Sequence, residues 1–463
     1  MIRLLALLVA LVAAAPVAAQ PLALDEVLRS SATHAPAILE AITRERQADG
    51  RRLSAEGAFD LLFEGEAQSR ALGYYDGTVV EGRATRPLAT NGGALYGGYR
   101  VSRGDFPTYE DKAFTNRLGE VKVGGVFSLM RDRLIDERRG RIGLAGGDTV
   151  LARLDREMVA IGVQRRAIDA YQAWVAAGVR TSVYRDLLSL ATARQASIER
   201  QIALGARPQI LGIENRQNIL RRQTLLVRAE QELAAAANAL SFYLRDAEGE
   251  RVVPSADRLP PAFPTLRLPA LGPDLARRIE RPDLAAILVR LDQVEVKRLL
   301  AENEMRPRLD VRAELAKDVG DVGLGGASRT PAEGIVGLRF SLPLERRQAR
   351  GKIAEAAAEA DGLRLRRRLI EDQILVEVNG LAIQATAADQ LVALAADETA
   401  LADRMAEAER RRFQLGASDF IVVNLREESA ADARLRQIDA EYRRASARAE
   451  LVAATVDRGQ LGL

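Results

Sequence analysis

The sequence predicts a mainly helical chain with short β segments, arranged as a two-fold internal repeat of long helical hairpins. Three observations lead there. Proline is absent between Pro107 and Pro208 and again after Pro343, and both tracts are rich in Ala, Leu, Arg and Glu, which favour helix. The stretch "LGARPQILGIENRQNIL" from Leu204 is echoed by "LGASDFIVVNLREES" from Leu415, with Gly205 and Gly416 211 positions apart. Between the helical tracts, apolar and polar residues alternate with the period of a strand.

At the start, "MIRLLALLVALVAAAPVAAQ" has Arg3, an apolar run over residues 4 to 15, and the small residues Val17 and Ala19 before Gln20. This run is too short to span a bilayer, and the pattern predicts a signal peptide over residues 1–19. The chain has no cysteine, so disulfides and thiol chemistry are excluded. Net charge is +3, with only five lysines among 67 basic residues. The charges are interspersed, which reads as solvated helix faces rather than a nucleic-acid surface.

The first repeat is expected over residues 20–245: a helix at about 22–57, a β segment at about 59–130, a long helix, the Leu-Gly turn, and a helix at about 210–245. Its long helix carries the seam Leu151, Leu154, Met158, Ile161, Ile168, Tyr171, Val175, Val179, Val183, Leu187, in steps of three, four and seven, a coiled-coil-like contact. Residues 246–273 hold six prolines and read as an irregular connection. The second repeat is expected over 274–463: a helix at about 274–304, a β segment at about 308–343, a long helix with the seam Ile353, Ala357, Ala360, Leu363, Ile370, Ile374, Leu381, the second Leu-Gly turn, and a helix at about 418–455. Gly140 to Gly205 and Gly351 to Gly416 are each 65 residues, about 100 Å of helix apiece. Each pair of flanking helices, laid end to end, matches one long helix in length.

In the β segments, Leu309, Val311, Ala313 and Leu315 alternate with Asp310, Arg312 and Glu314, and Leu338, Phe340 and Leu342 alternate with Arg339 and Ser341. Such a strand suits a soluble sheet or a lipid-facing barrel. Ten of the twenty aromatics fall between Phe59 and Phe127, including Tyr74, Tyr75, Tyr96, Tyr99 and Tyr109, which favours the barrel because aromatics enrich at membrane interfaces. The glycines and tyrosines of residues 72–118 suit a longer external loop or an extra strand.

The opening "LALDEVLRSSATHAPAI", the stretch "RPDLAAILVRLDQVEVKRLLAENEMRPRLDV", the junction "RFSLPLERRQARGKIAEA" and both Leu-Gly breaks together resemble the outer-membrane efflux protein family, the TolC-like channel-tunnels. The resemblance covers nearly the whole chain after residue 19. It implies a homotrimer in which each protomer gives four strands to a shared 12-stranded barrel in outer-membrane lipid and four helical rods to a periplasmic tunnel. It also implies a periplasmic adaptor protein and an inner-membrane pump as partners. The Leu-Gly turns would be the hairpin tips, making Leu204, Gly205, Ala206, Leu415, Gly416 and Ala417 the adaptor-docking residues; a tight helical reversal would need such glycines in any case. Family members often narrow the tunnel mouth with aspartates six and nine residues after the second glycine. Val422 and Leu425 stand there in this chain, which leaves Asp419, Glu427 and Glu428 as candidate tunnel-mouth residues.

No catalytic constellation is visible. The sole histidine, His34, reads as a surface or capping residue. "GLGG" at 323–326 lacks the Lys-Ser/Thr of a phosphate loop. No enzyme, cofactor or metal is expected. The expected function is a passive outer-membrane exit duct for small molecules or drugs in a tripartite efflux pump. The alternatives are the outer-membrane component of a type I protein-secretion system and, more remotely, a soluble periplasmic coiled-coil scaffold or adaptor.

Overall fold

A computed structural model describes residues 20–107, 113–268, 280–322 and 331–463. The expected signal peptide, Tyr109, the start of the helix expected at 274 and the "GLGG" run lie outside them. Helices α1 (Leu24–His34) and α2 (Pro36–Glu56) precede strands β1 (Leu62–Ser69), β2 (Thr78–Pro87), β3 (Ala94–Arg103) and β4 (Glu120–Ser128). Helix α3 (Glu137–Ala203) and α4 (Ile210–Leu240) follow. The second half runs α5 (Pro282–Glu304), β5 (Arg308–Asp318), β6 (Glu333–Ser341), α6 (Arg347–Gln414), α7 (Phe420–Ala454) and the short α8 (Arg458–Leu461).

The helix expected at 22–57 is two helices. Pro36 is the first residue of α2, and Ala35 before it is extended at φ −64°, ψ 123°, because a proline ring crowds the preceding residue out of helical geometry. The two long helices form as expected, with 67 and 68 residues. Most of the stability of helices in a folded protein comes from packing of an apolar face rather than from propensity, and the buried faces of these two supply it.

The chain divides into two compact units. The first takes the described residues of Met1–Glu40, Met158–Arg281 and Gln373–Leu463. Its core gathers Leu22, Leu28, Ile168, Tyr171, Trp174, Leu240, Val452 and Leu461, all buried. Six of the ten seam residues in the first half are buried, namely Ile161, Ile168, Tyr171, Val175, Val183 and Leu187. The Tyr171 hydroxyl donates to the Leu22 carbonyl at 2.6 Å, and burial pushes its pKa up to about 12. The Gln164 amide donates to the Leu28 carbonyl at 2.9 Å; each bond satisfies a buried carbonyl of α1 or its lead-in, which would otherwise be costly. The proline-rich connection packs on this core through Leu259, Phe263 and Leu266, and a Cβ on Gly178 would lie 2.6 Å from the Leu259 side chain. The second-half seam is much more open: of its seven residues only Ile374 is buried.

The second unit takes Ala41–Glu157 and the described residues of Pro282–Asp372. It contains one antiparallel sheet in the order β1-β2-β3-β4-β5-β6. The four strands implied by the resemblance are therefore six. The extra pair, β2 and β3, is the 72–118 excursion of the first half. It turns at Asn91-Gly92-Gly93, where Leu88 N–H donates to the Gly93 carbonyl at 2.8 Å and Gly92 takes φ +64°, a conformation glycine adopts without penalty. At the exit from the sheet, Asp132 and Asn303 clamp each other: Asp132 N–H donates to Asn303 Oδ1 at 2.9 Å, and Asn303 Nδ2 donates to Asp132 Oδ1 at 2.8 Å.

Candidate functional site: a two-faced sheet and two hairpin tips

Every strand of the sheet obeys the same alternation. The register pairs place Phe63, Ala67, Val80, Ala84, Leu95, Tyr99, Val121, Val123, Phe127, Leu309, Val311, Leu315, Val336, Leu338 and Phe340 on one face. That face is open: Phe63 is 74% and Leu338 72% exposed. A contiguous exposed apolar surface across six strands is unusual for a chain surrounded by water and marks a lipid or protein contact.

The opposite face is charged and internally paired. Lys122 is bonded to Glu81. Arg100 meets Glu120 at 2.8 Å. Tyr96 is almost fully buried here; its hydroxyl donates to Glu314 at 2.5 Å, accepts from Arg312 Nε at 3.0 Å, and its ring lies 4.2 Å under the Arg83 guanidinium. Ser128 donates to Asp310 at 3.0 Å, and Arg308 meets the other Asp310 oxygen at 2.7 Å. The network joins β2 to β5 and gives their carboxylates cationic or hydroxyl partners away from the apolar face.

The two Leu-Gly breaks are the same helix cap made twice. At the first, Ala206 N–H donates to the Gln201 carbonyl at 2.8 Å and Gly205 N–H to the Ile202 carbonyl at 2.9 Å. At the second, Ala417 N–H donates to Arg412 at 2.9 Å and Gly416 N–H to Phe413 at 3.0 Å. These paired bonds are a Schellman cap, with the glycine in the left-handed position: φ is +73° at Gly205 and +77° at Gly416. The turn geometry therefore accounts for both glycines. It does not account for the leucines before them, which are 83% and 84% exposed. Nothing lies within 4 Å of a Cβ built on either glycine, so both turns are open on the outside. The ends of the four helices meet just behind them, where Ile198, Leu211 and Phe420 form a small core flanked by Ile202 and Phe413, and Arg207 stacks on Phe413 at 5.5 Å.

The tunnel-mouth candidates fall in three different places. Asp419 is exposed, immediately before α7, and makes no side-chain cap. Glu428 is half-buried and meets Arg221 at 3.2 Å. Glu427 is not a free acid at all: it is fully buried between Arg222, at 3.0 Å, and Arg194. Arg222 also donates to the Leu187 carbonyl at 2.6 Å, and Arg194 to Asn424 at 2.8 Å. Burial holds the Arg222 guanidinium below its ordinary pKa, with Glu427 pulling the other way. This clamp joins α3, α4 and α7. Sequence reasoning missed it; the one signal was an arginine, Arg222, on the buried stripe of α4 that also holds Leu211, Asn215 and Ala229. Among the described residues no group of His, Cys, Asp or Glu is placed to hold a metal ion.

Residues 276–455 match the outer membrane efflux protein family. Among curated proteins none matches the chain by sequence. Solved structures do. The outer-membrane channel OprN superposes with a TM-score of 0.64 at 17% identity, over 93% of this chain and 89% of its own. The outer membrane protein VceC of Vibrio cholerae superposes at 0.64 and 15%, over 93% and 95%. The MtrE outer membrane channel of Neisseria gonorrhoeae, in its open state, superposes at 0.64 and 13%, over 93% and 88%. At such identities the likeness is one of fold, and it extends over almost the full length of both chains. The second half of this chain is similar to the outer membrane efflux protein family, and the chain as a whole has the fold of these outer-membrane channels.

Proposed function

We propose that the chain is the outer-membrane channel of a tripartite efflux pump, a passive duct through which small molecules leave the cell. The observation that carries this reading is the sheet. One face is apolar and open on all six strands, and the other is charged and self-paired. A sheet of this kind with lipid outside and water inside is a barrel wall. Residues 1–19 direct export, residues 20–245 and 274–463 act as the two structural repeats, and 246–273 connects them.

Three copies associate around the duct. The exposed stripe Leu369, Val376, Ile383, Leu394 and Leu401 along α6 supports this: its steps of seven and eleven are those of a helix seam awaiting a neighbour. Leu204, Gly205, Ala206, Leu415, Gly416 and Ala417 dock the tips of a periplasmic adaptor, which recruits an inner-membrane pump. The exposed leucines support that reading, since the caps do not need them. No reaction is catalysed and no cofactor is used. The duct reading is tested by fractionating cells that express the chain. It requires recovery in the outer-membrane fraction as a detergent-extracted oligomer, with increased drug sensitivity in a deletion strain. Recovery as a soluble periplasmic monomer would sink it.

A further inference from the structure

The sheet is open at both ends of its strand order. β1 pairs only with β2 and β6 only with β5, and nearly every residue of these two edges is exposed. Unpaired edge groups invite another strand, and in lipid they must find one, because no water is there to bond them. The charges show the same incompleteness. The paired network of the polar face covers β2 to β5. Among the described residues, no ion pair engages Glu64 or Glu66 on β1, or Arg339 on β6. The β1 edge is left with two carboxylates, and the β6 edge with one cation, Arg339, near its α6 end and one carboxylate, Glu333, at its far end.

The register within the sheet fixes how the edges can meet. A single rung runs Glu64, Arg83, Gly98, Lys122, Ala316, Glu333. It begins at the third residue of β1, close to the end that follows α2, and finishes at the first residue of β6, the end farthest from α6. The strands are thus displaced by about one residue per step, the stagger that gives a tilt of about 36° in a closed barrel. One further step of the same stagger leads from β6 of one copy to β1 of the next, a shift of about six residues for each six-stranded chain. Six residues beyond Glu333 stands Arg339, on the same polar face. A shift by an odd number would turn the apolar face inward, and a shift of the same size in the other direction would slide β1 past the end of β6.

We propose that β6 of one copy pairs antiparallel with β1 of the next, with Glu64 opposite Arg339 and Phe63 opposite Phe340, so that three copies close a wall of eighteen strands. All eight residues of β1 then gain partners, from Leu62 against Ser341 to Ser69 against Gly334. The two phenylalanines form a cross-strand aromatic pair on the lipid side, and the carboxylate and guanidinium pair on the water side. Because each chain contributes an even number of strands, the edges meet antiparallel without exception around the ring. The β2–β3 hairpin accordingly widens the wall from the twelve strands of a four-stranded protomer. The inference rests on the channel reading and adds to it the occupant of both edges.

The absence of cysteine makes a direct test simple. The double variant Glu64→Cys/Arg339→Cys, oxidised in isolated outer membranes, is expected to run as a covalently closed trimer on non-reducing gels. Neither single variant, nor Gln68→Cys/Arg339→Cys, should do so. A second pair guards against a variant that misassembles: Glu64→Arg and Arg339→Glu should each lower the temperature at which the oligomer dissociates, and together restore it. The proposal is overturned if the chain sits in the outer membrane as an oligomer but the Glu64/Arg339 pair neither cross-links nor rescues by charge exchange. It is overturned equally if Arg339→Cys cross-links instead to Tyr96→Cys on β3, as a twelve-stranded wall of β3 to β6 with the same stagger would require. Absence of the wild-type chain from the outer-membrane fraction would defeat the channel reading itself.

Discussion

The first half of the chain folds residues 62–128 into four strands, and the second folds residues 308–341 into two. Yet the long helices that follow have 67 and 68 residues and end in the same cap with the same two hydrogen bonds. The halves agree wherever a helix must match a helix in length. They differ where the chain can add a hairpin without changing the direction of any strand. A pair of strands is the smallest insertion that keeps an antiparallel sheet in step, and β2 with β3 is one such pair. The helical parts have no comparable freedom, because a tip displaced by a few residues would no longer lie beside its counterpart.

Agreement in length does not mean equivalence in contacts, and substitutions can expose the difference. The largest effect is expected at Glu427, which is supplied by the second half and clamps Arg194 and Arg222 of the first. Removing it as Glu427→Ala strands a buried guanidinium and should cost about 3–5 kcal/mol, read as a lower denaturation midpoint of the detergent-solubilised protein. The residue 211 positions earlier is Arg216, which is exposed, so Arg216→Ala should cost less than about 0.5 kcal/mol.

A second contrast lies at the glycines that open the long helices. A Cβ on Gly140 would come within 2.5 Å of Leu300, while nothing lies within 4 Å of one on Gly351. Gly140→Ala should therefore destabilise by about 1–3 kcal/mol through overpacking. Gly351→Ala should stabilise by up to about 1 kcal/mol, as alanine does inside a helix. A loss at Gly351 comparable to that at Gly140 would reveal a neighbouring copy packed on that face.

Where the halves are equivalent, paired substitutions should behave alike. Gly205→Ala and Gly416→Ala place a side chain at φ +73° and +77° with space around it, so only backbone strain is felt, about 1 kcal/mol each. Unequal losses would break the equivalence of the caps. The smallest stability effect belongs to Leu204→Ser and Leu415→Ser, within about 0.5 kcal/mol because the side chains are exposed. Their effect should appear instead as lost cross-linking to a co-expressed adaptor and raised drug sensitivity; full retention of both with the double variant would remove these leucines from the docking surface.

Much of this was legible in the sequence, for physical reasons that also explain what was not. Long helices announce themselves because their periodicity accumulates over many turns, and a left-handed glycine followed by a restarting pattern marks a cap. Hence α3, α6 and both tips stand close to where the sequence places them. The seam of α3 is right but incomplete, since Trp174, buried at the centre of the core, lies one residue off the heptad path. Strands are short and give little signal. In β2 and β3 the outward positions include Gly82, Ala84 and Gly97, too small to mark an apolar face, so the extra hairpin read equally well as a loop. Glu427 could not be placed from sequence, because its burial depends on arginines 205 and 233 residues away.

The most direct measurement is a cryo-electron-microscopy reconstruction of the detergent-purified protein. The account predicts three copies about one axis closing a single barrel of eighteen strands, with Phe63 and Leu338 facing the detergent and Tyr96 facing the lumen. A barrel of twelve strands built from β3 to β6, with β1 and β2 outside the wall, would contradict the edge pairing. A monomer, or an assembly that points the apolar face of the sheet inward, would contradict the channel.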